Sequence, residues 1–258
     1  MNESIVAEIR KDYMYDLAKK GERVDGRAFD QYRDISIEPG IVSRAEGSAR
    51  VQIGNTQVLV GVKIQPGEPF PDTPNEGVII TNAELVPLAS PTFEAGPPKE
   101  DAIELARVVD RGIRESGALD LAKLCIEEGA KVWMVFIDVH VLDHDGNLID
   151  AAALGAIAAL LNAKLPNERY EMGKDAQLPV ADLPVAITVA EIGGKLLLDP
   201  SLEEEQITPA KLTIIFNKDG SISGMQKSGT GMLTSEQIYQ AIEMASKKAK
   251  EIRKKFLE

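Results

Sequence analysis

The chain has 258 residues, of which 44% are hydrophobic and 27% are charged. This ordinary globular composition excludes a disordered or collagen-like chain. No run of about 18 apolar residues occurs, so neither a membrane span nor a membrane partner is predicted. The net charge of −12 argues against polyanion binding over the whole surface, so a nucleic-acid contact needs a local basic patch. Cys125 is the only cysteine, which excludes an internal disulfide and, without a predicted signal peptide, indicates a cytoplasmic protein.

The predicted elements alternate between helices and strands. The first is an amphipathic helix over residues 3–20, with Ile5, Ile9 and Tyr13 on one face. A hairpin follows, with strands 49–54 and 56–64. The later elements are a strand at 78–88, a helix at 99–115, a short amphipathic segment at 119–126, a strand at 131–142, an alanine-rich helix at 149–163, strands at 185–191, 196–198 and 212–216, a strand ending at Gln226, and a last helix opened by the capping box Thr234-Ser-Glu-Gln237. Strands and helices thus occur in a similar order twice, which predicts an α+β fold with two similar halves.

Three groups of residues are candidates for chemistry, and each has a plain structural alternative. His140 and His144 could hold a metal with a neighbouring aspartate, or they are a half-buried strand residue and a turn residue. Cys125 could be a thiol nucleophile or a small core residue. The acidic run Asp199-Pro-Ser-Leu-Glu-Glu-Glu205 could hold Mg²⁺ or supply a general acid, or it is a helical turn capped by Asp199 or Ser201.

Three arginines share one side of the second predicted helix. At 100° per residue, Arg107, Arg111 and Arg114 fall within about one sixth of the circumference. Guanidinium groups about 5–6 Å apart suit successive phosphates of a single strand. The alternative is a face of ion pairs, because Glu104 precedes Arg107 by three residues and Asp110 precedes Arg114 by four. The side predicted to face the core carries Ile103, Ala106, Val109 and Ile113.

An ordered set of short motifs resembles a known family. The motifs are Arg23-Val-Asp-Gly-Arg27, Ala45-Glu-Gly-Ser-Ala49, Gly54-Asn-Thr-Gln-Val58 and Ile103-Glu-Leu-Ala-Arg-Val-Val-Asp-Arg111, together with Pro71-Asp-Thr-Pro74, Asn82-Ala-Glu-Leu-Val-Pro-Leu-Ala89, Thr92-Phe-Glu-Ala-Gly-Pro-Pro98 and Gln226-Lys-Ser-Gly229. The first four resemble the RNase PH-like phosphorolytic exoribonucleases. The others resemble, within that family, the non-catalytic ring subunits of the archaeal exosome.

The resemblance implies an RNase PH-like α+β fold for residues 1–258 as one domain unit, with approximate halves 22–165 and 178–258 and the N-terminal helix 3–20. It implies an alternating hexameric ring of three heterodimers with a catalytic RNase PH-like paralogue. Cap subunits with S1 or KH domains and single-stranded RNA are the other implied partners. Such a ring shortens RNA from its 3′ end with inorganic phosphate, which is used at the paralogue's site. No cofactor or metal is therefore expected on this chain.

Active relatives bind phosphate with a Gly-Thr-Arg or similar sequence after an Asp-Gly turn. Here Asp145-Gly146 is followed by Asn147, and Leu148 and Ile149 stand where a hydroxyl and a guanidinium are expected. Neither aliphatic side chain can bind an anion, and Asp150 is expected to add negative charge. The resemblance therefore implies that the phosphate site is lost.

A second departure concerns the catalytic carboxylates. Active relatives carry two aspartates about a dozen residues apart; Asp199 matches the first, but Lys211 stands at the second. The chain is therefore expected to be catalytically inactive. The resemblance implies that Arg107 and Arg111 bind the RNA backbone. It implies no such role for Arg114, for which an ion pair with Asp110 stays the alternative. Two other functions stay open: an active phosphorolytic 3′-exoribonuclease, and a metal-dependent hydrolase that uses Asp199, Glu203 and Glu205.

Overall fold

A computed structural model describes the backbone of residues 3–258 and the side chains from residue 10 onward. The helices are α1 (Glu3–Lys20), α2 (Glu100–Glu115), α3 (Leu148–Leu161), α4 (Leu202–Ile207) and α5 (Ser235–Phe256). The strands are β1 (Ile35–Pro39), β2 (Gly47–Ile53), β3 (Thr56–Gly67), β4 (Val78–Leu85), β5 (Cys125–Glu127), β6 (Lys131–Asp143), β7 (Lys164–Leu165), β8 (Ala176–Gln177), β9 (Val185–Ile192), β10 (Lys195–Leu198), β11 (Ala210–Phe216) and β12 (Ile222–Ser228). No described helix is long and apolar enough to cross a bilayer.

The first half of the chain forms a six-stranded sheet in the order β1-β2-β3-β6-β4, with β5 on β6. All of its pairs are antiparallel except β4 with β6. The predicted hairpin is confirmed, with Ile53 opposite Thr56 at its turn. Residues along β2 and β3 alternate between buried and half-buried, as expected of a sheet with one face on the core.

The second half forms a four-stranded antiparallel sheet in the order β10-β9-β11-β12. Helix α5 packs on this sheet through Ala241, Ala245, Ala249 and Ile252, and the predicted capping box at Thr234 is present. Each half therefore places a helix on a mostly antiparallel sheet, and the predicted α+β fold is confirmed. Strands β7 and β8 pair with each other between the two halves.

Helix α3 is the centre of the core, because it contacts both sheets and α2. Its alanines are small enough for close approach, and ten of its residues are buried. At Gly155 an added Cβ would lie 2.9 Å from Cγ2 of Val60, so only glycine fits against β3. This packing fixes the N-terminus of α3 between the two sheets.

Helix α1 is confirmed, and it packs Met14 and Ala18 against the second sheet and α4. The predicted contacts of Ile5 and Ile9 lie outside the described side chains. Strand β1 was not predicted, because its five residues form a short edge strand with little burial. The prediction that Ile103 faces the core is wrong, since it is 48% exposed. Helix α2 buries the predicted Val109 and Ile113, together with Leu105 and Val108.

Candidate functional site

A cleft of about 250 Å³ lies where α2, the N-terminus of α3 and the second sheet meet. Its apolar side includes Leu105, Leu148 and Ile149. Its polar side is lined by Asp101, Glu104, Asn147, Glu205, Lys211 and Ser228. The cleft thus contains the positions at which the sequence predicts a lost phosphate site, and its carboxylates outnumber its one lysine.

The N-terminus of α3 is built by the turn at Gly146 and Asn147. Gly146 has φ 87°, and an added Cβ would lie 2.6 Å from the carbonyl oxygen of Pro200, so glycine is required there. Asn147 caps the helix in the left-handed conformation, with φ 56°, but its side chain makes no cap hydrogen bond. Leu148 and Ile149 follow directly and line the cleft. The side chains that follow the turn therefore offer an anion only aliphatic groups.

Asp150 follows the turn in the first turn of α3, but it does not line the cleft. Asp150 is 3% exposed and lies in the core between the sheets. Its carboxylate accepts hydrogen bonds from Tyr32 Oη, from Asn147 Nδ2 at 2.9 Å, and from the backbone N and Oγ1 of Thr188 at 2.9 and 2.8 Å. Burial raises the pKa of Asp150 to about 6 even though these hydrogen bonds favour the ionised form.

The raised pKa of Asp150 predicts a pH dependence of stability. Between pH 3.8 and about 6 the folded protein keeps this proton while the unfolded chain has lost it. The contribution of Asp150 is therefore greatest below pH 3.8 and is lost as the pH rises through 6. We expect the free energy of unfolding of the wild type, minus that of Asp150→Asn, to fall by about 2 kcal/mol from pH 4 to pH 6.5. Urea unfolding at several pH values measures this difference, and a constant or rising difference would contradict it.

Asp199 lies at the centre of a buried cluster and is 0% exposed. Its Oδ2 accepts from Arg27 Nη1 at 2.8 Å and from the backbone N of Arg33 at 2.8 Å. Its Oδ1 accepts from Arg33 Nη2 at 2.8 Å and from Asn147 Nδ2 at 2.7 Å. Burial disfavours the charge, but the Arg33 and Asn147 hydrogen bonds and the Arg33 charge outweigh it, so the pKa of Asp199 is lowered. A carboxylate held in this way has no proton to give as a general acid.

The other carboxylates of the acidic run are also paired, each with a different cation. Ser201 caps α4 and forms a capping box with Glu204, so the helical-turn alternative is confirmed. Glu203 pairs with Arg10, and Glu204 accepts two hydrogen bonds from Arg23 at 2.8 and 2.6 Å. Glu205 pairs with Lys211 at 2.7 Å. In the described part of the chain, no group of three or more His, Cys, Asp or Glu residues is placed to hold a metal ion.

The two histidines follow their structural alternatives, whereas the prediction that Cys125 is a core residue is wrong. His140 is half-buried on β6, and its Nδ1 lies 3.1 Å from Oε2 of Glu84. His144 stacks on Phe93 in the following turn, and its burial lowers its pKa. Cys125 is half-buried on β5 and lies outside the core.

The arginines of α2 differ in their contacts. Arg114 pairs with Asp110 at 3.1 Å and donates to the carbonyl oxygen of Ile79, so its predicted ion pair is confirmed. Arg111 Nη1 donates to Gln226 Oε1 at 3.5 Å. The side chain of Arg107 is exposed, and within the described part of the chain it makes no hydrogen bond or ion pair. The predicted alternative of a Glu104–Arg107 pair is therefore not found.

Sequence reasoning missed the arginines that complete the site. Arg23, Arg27 and Arg33 reach across from the segment before β1 to the carboxylates at the end of the second sheet. The sequence offers one signal for them, since buried carboxylates need cationic partners, but the pairing spans 166 to 181 residues. Tyr32 was missed because its partner, Asp150, is 118 residues away in the sequence.

Two family models match the chain. The first domain of the 3′ exoribonuclease family matches residues 31–166, and the second domain of the same family matches residues 182–248. Together these matches cover most of the chain.

Relatives and solved structures agree with this match. "Exosome complex component Rrp42" of Methanocella arvoryzae is 66% identical over 99% of this chain and 98% of its own length. The protein of that name from Archaeoglobus fulgidus is 56% identical over 100% of both chains. A chain of the Archaeoglobus fulgidus exosome with RNA bound to the active site aligns with a TM-score of 0.95 and 56% identity, over 98% of this chain and 99% of its own. A chain described as "Archaeal exosome core" aligns with a TM-score of 0.92 and 52% identity, over 100% of both chains. The chain therefore belongs to the 3′ exoribonuclease family.

Proposed function

We propose that this chain is a non-catalytic ring subunit of an archaeal exosome. In this function it completes the active site of a catalytic RNase PH-like paralogue and helps to bind RNA for phosphorolytic degradation from the 3′ end. The observation that carries the proposal is the N-terminus of α3, where Leu148 and Ile149 line the cleft. Phosphorolysis must hold a phosphate anion next to a phosphodiester, and this requires fixed cations or hydrogen-bond donors.

The carboxylates of the site support the same proposal. Departure of the RNA 3′ oxygen needs an acid. Asp199 is an ionised, fully paired carboxylate, and Lys211 is occupied by Glu205. Neither group is free for proton transfer, so the bond is broken at the paralogue's site.

The arginines of α2 supply the proposed RNA contact. Arg107 and Arg111 are exposed on one face of a helix whose other face is anchored in the core. Because guanidinium groups bind phosphates regardless of base, these two side chains would hold the RNA backbone without sequence preference. On a chain with a net charge of −12, they form a local basic site that an acidic surface surrounds.

The proposed assembly is an alternating hexamer of three heterodimers with cap subunits that carry S1 or KH domains, in the cytoplasm. Inorganic phosphate is used at the paralogue's site. The similarity to chains of archaeal exosome structures over nearly the whole length supports this assembly.

The test is phosphate-dependent shortening of a labelled oligoadenylate. We expect the purified chain to release no nucleoside diphosphate, and we expect release to begin when the catalytic paralogue from the same genome is added. The control is the paralogue mixed with an unrelated protein of similar charge. Appreciable diphosphate release by this chain alone would overturn the proposal in favour of an active phosphorolytic enzyme.

The same assay tests the metal-dependent hydrolase. Such an enzyme would shorten RNA with Mg²⁺ or Mn²⁺ in the absence of phosphate, and Glu205→Gln would abolish that activity. We expect neither result, because Asp199, Glu203 and Glu205 are each bound to a different basic residue.

A further inference from the structure

By its position on α2, Glu104 is well placed to pair with Arg107, but its carboxylate is hydrogen-bonded to β12. Residues three apart on a helix are neighbours, and an acidic residue before a basic one is the favourable order. Yet Oε1 of Glu104 accepts from Ser228 Oγ at 2.7 Å and from Gln226 Nε2 at 3.4 Å, both on β12. The edge strand of the second sheet thus binds the acid that the helix would otherwise pair with Arg107.

Gln226 also connects to the second arginine. Its Nε2 donates to Glu104 while its Oε1 accepts from Arg111 Nη1 at 3.5 Å. The reverse orientation of the amide would place its oxygen against a carboxylate and its NH₂ against a guanidinium, so the two neighbours fix it. Gln226 therefore lies between Glu104 and Arg111.

We propose that Ser228 and Gln226 are positioning residues for RNA binding, which bind Glu104 and so leave Arg107 free for a phosphate. The inference rests on the proposed function of the α2 arginines. In this proposal neither Ser228 nor Gln226 contacts the RNA, since both act through Glu104. Without the Ser228 hydrogen bond, Glu104 would turn to Arg107, and each phosphate would first have to displace that carboxylate.

The test uses the complex with the catalytic paralogue, a fluorescent 12-nucleotide oligoadenylate, and a phosphate-free buffer at low salt. We expect Ser228→Ala to weaken RNA binding about two- to fivefold, the effect of competition from one exposed ion pair. Because a displaced Glu104 takes up a counterion when the phosphate binds, the slope of log K against log salt should also fall by about 0.7. Ser228→Thr keeps the hydroxyl and should bind RNA as the wild type does.

A second substitution separates the proposal from a merely structural effect. In the double variant Glu104→Gln with Ser228→Ala, no carboxylate competes for Arg107, so RNA affinity should return to the wild-type value. Unchanged affinity in Ser228→Ala, or a loss that Glu104→Gln does not restore, would overturn the inference. If Arg107→Glu with Arg111→Glu weakens RNA binding while Ser228→Ala does not, the proposed function stands and only this inference fails. If the arginine variant binds RNA normally, both fail.

Discussion

Replacing Arg107 and Arg111 together by glutamate should weaken RNA binding by the assembled complex about 100-fold at low salt. The estimate takes about 1.5 kcal/mol for each lost hydrogen bond to a charged group. Both side chains are exposed on α2, so the ring should still assemble. Fluorescence anisotropy with a labelled oligoadenylate measures the affinity, and native mass measurement checks the assembly.

The matched control is Lys250→Glu with Lys254→Glu on α5. This pair changes the net charge by the same amount, on a helix end that is not proposed to bind RNA. We expect it to change RNA affinity less than threefold, the scale of a distant, screened charge effect. Equal losses in the two double variants would show a general charge effect and would remove the proposed arginine site.

Replacing Asp199 by alanine should lower the free energy of unfolding by about 3–5 kcal/mol, the cost of leaving buried charges without a partner. Arg27 and Arg33 would both lose the carboxylate that binds them. Asp199 also has φ 50°, a conformation that Asp and Asn accept better than Ala. Urea unfolding followed by circular dichroism measures the change.

Two further variants separate the loss of the buried charge from the effect of the backbone conformation and from the loss of any acidic residue in this run. Asp199→Asn accepts the same backbone conformation without the charge, so its loss should be smaller but still clear. Glu203→Ala removes a half-exposed carboxylate from the same acidic run, and its loss should be below about 1 kcal/mol. A loss for Asp199→Ala no greater than that for Glu203→Ala would contradict the structural role of the cluster.

Local periodicity accounts for the parts of the fold that the sequence predicts correctly. The alternation in β2 and β3, the β-branched run of β6 and the capping box of α5 each lie within one segment, so nearby residues determine them. The error at Ile103 has a local cause too. The buried side of α2 is centred on Leu105, Val108 and Val109, so a stripe drawn through Ile103 is rotated away from the core.

Contacts between distant segments account for what the sequence did not predict. Asp150 follows an Asp-Gly turn and has the sequence context of an exposed helix start, but Thr188 and Tyr32 bring it hydrogen-bond donors from two other segments. The diversion of Glu104 likewise depends on β12, more than 120 residues further along the chain. Helix periodicity predicts that the arginines share one face of α2. It cannot predict that β12 binds Glu104 on the same helix.

The long span of the arginine–carboxylate cluster has a consequence for synthesis. Arg27 and Asp199 are 172 residues apart, so a ribosome adding about 5–20 residues per second makes the arginine on the order of 10–30 s before its partner. During that interval the guanidinium groups of Arg23, Arg27 and Arg33 remain hydrated, and the segment before β1 has no acid from the second sheet to dock on. The segment before β1 can therefore reach its final position only after Asp199 and Glu204 have been synthesised.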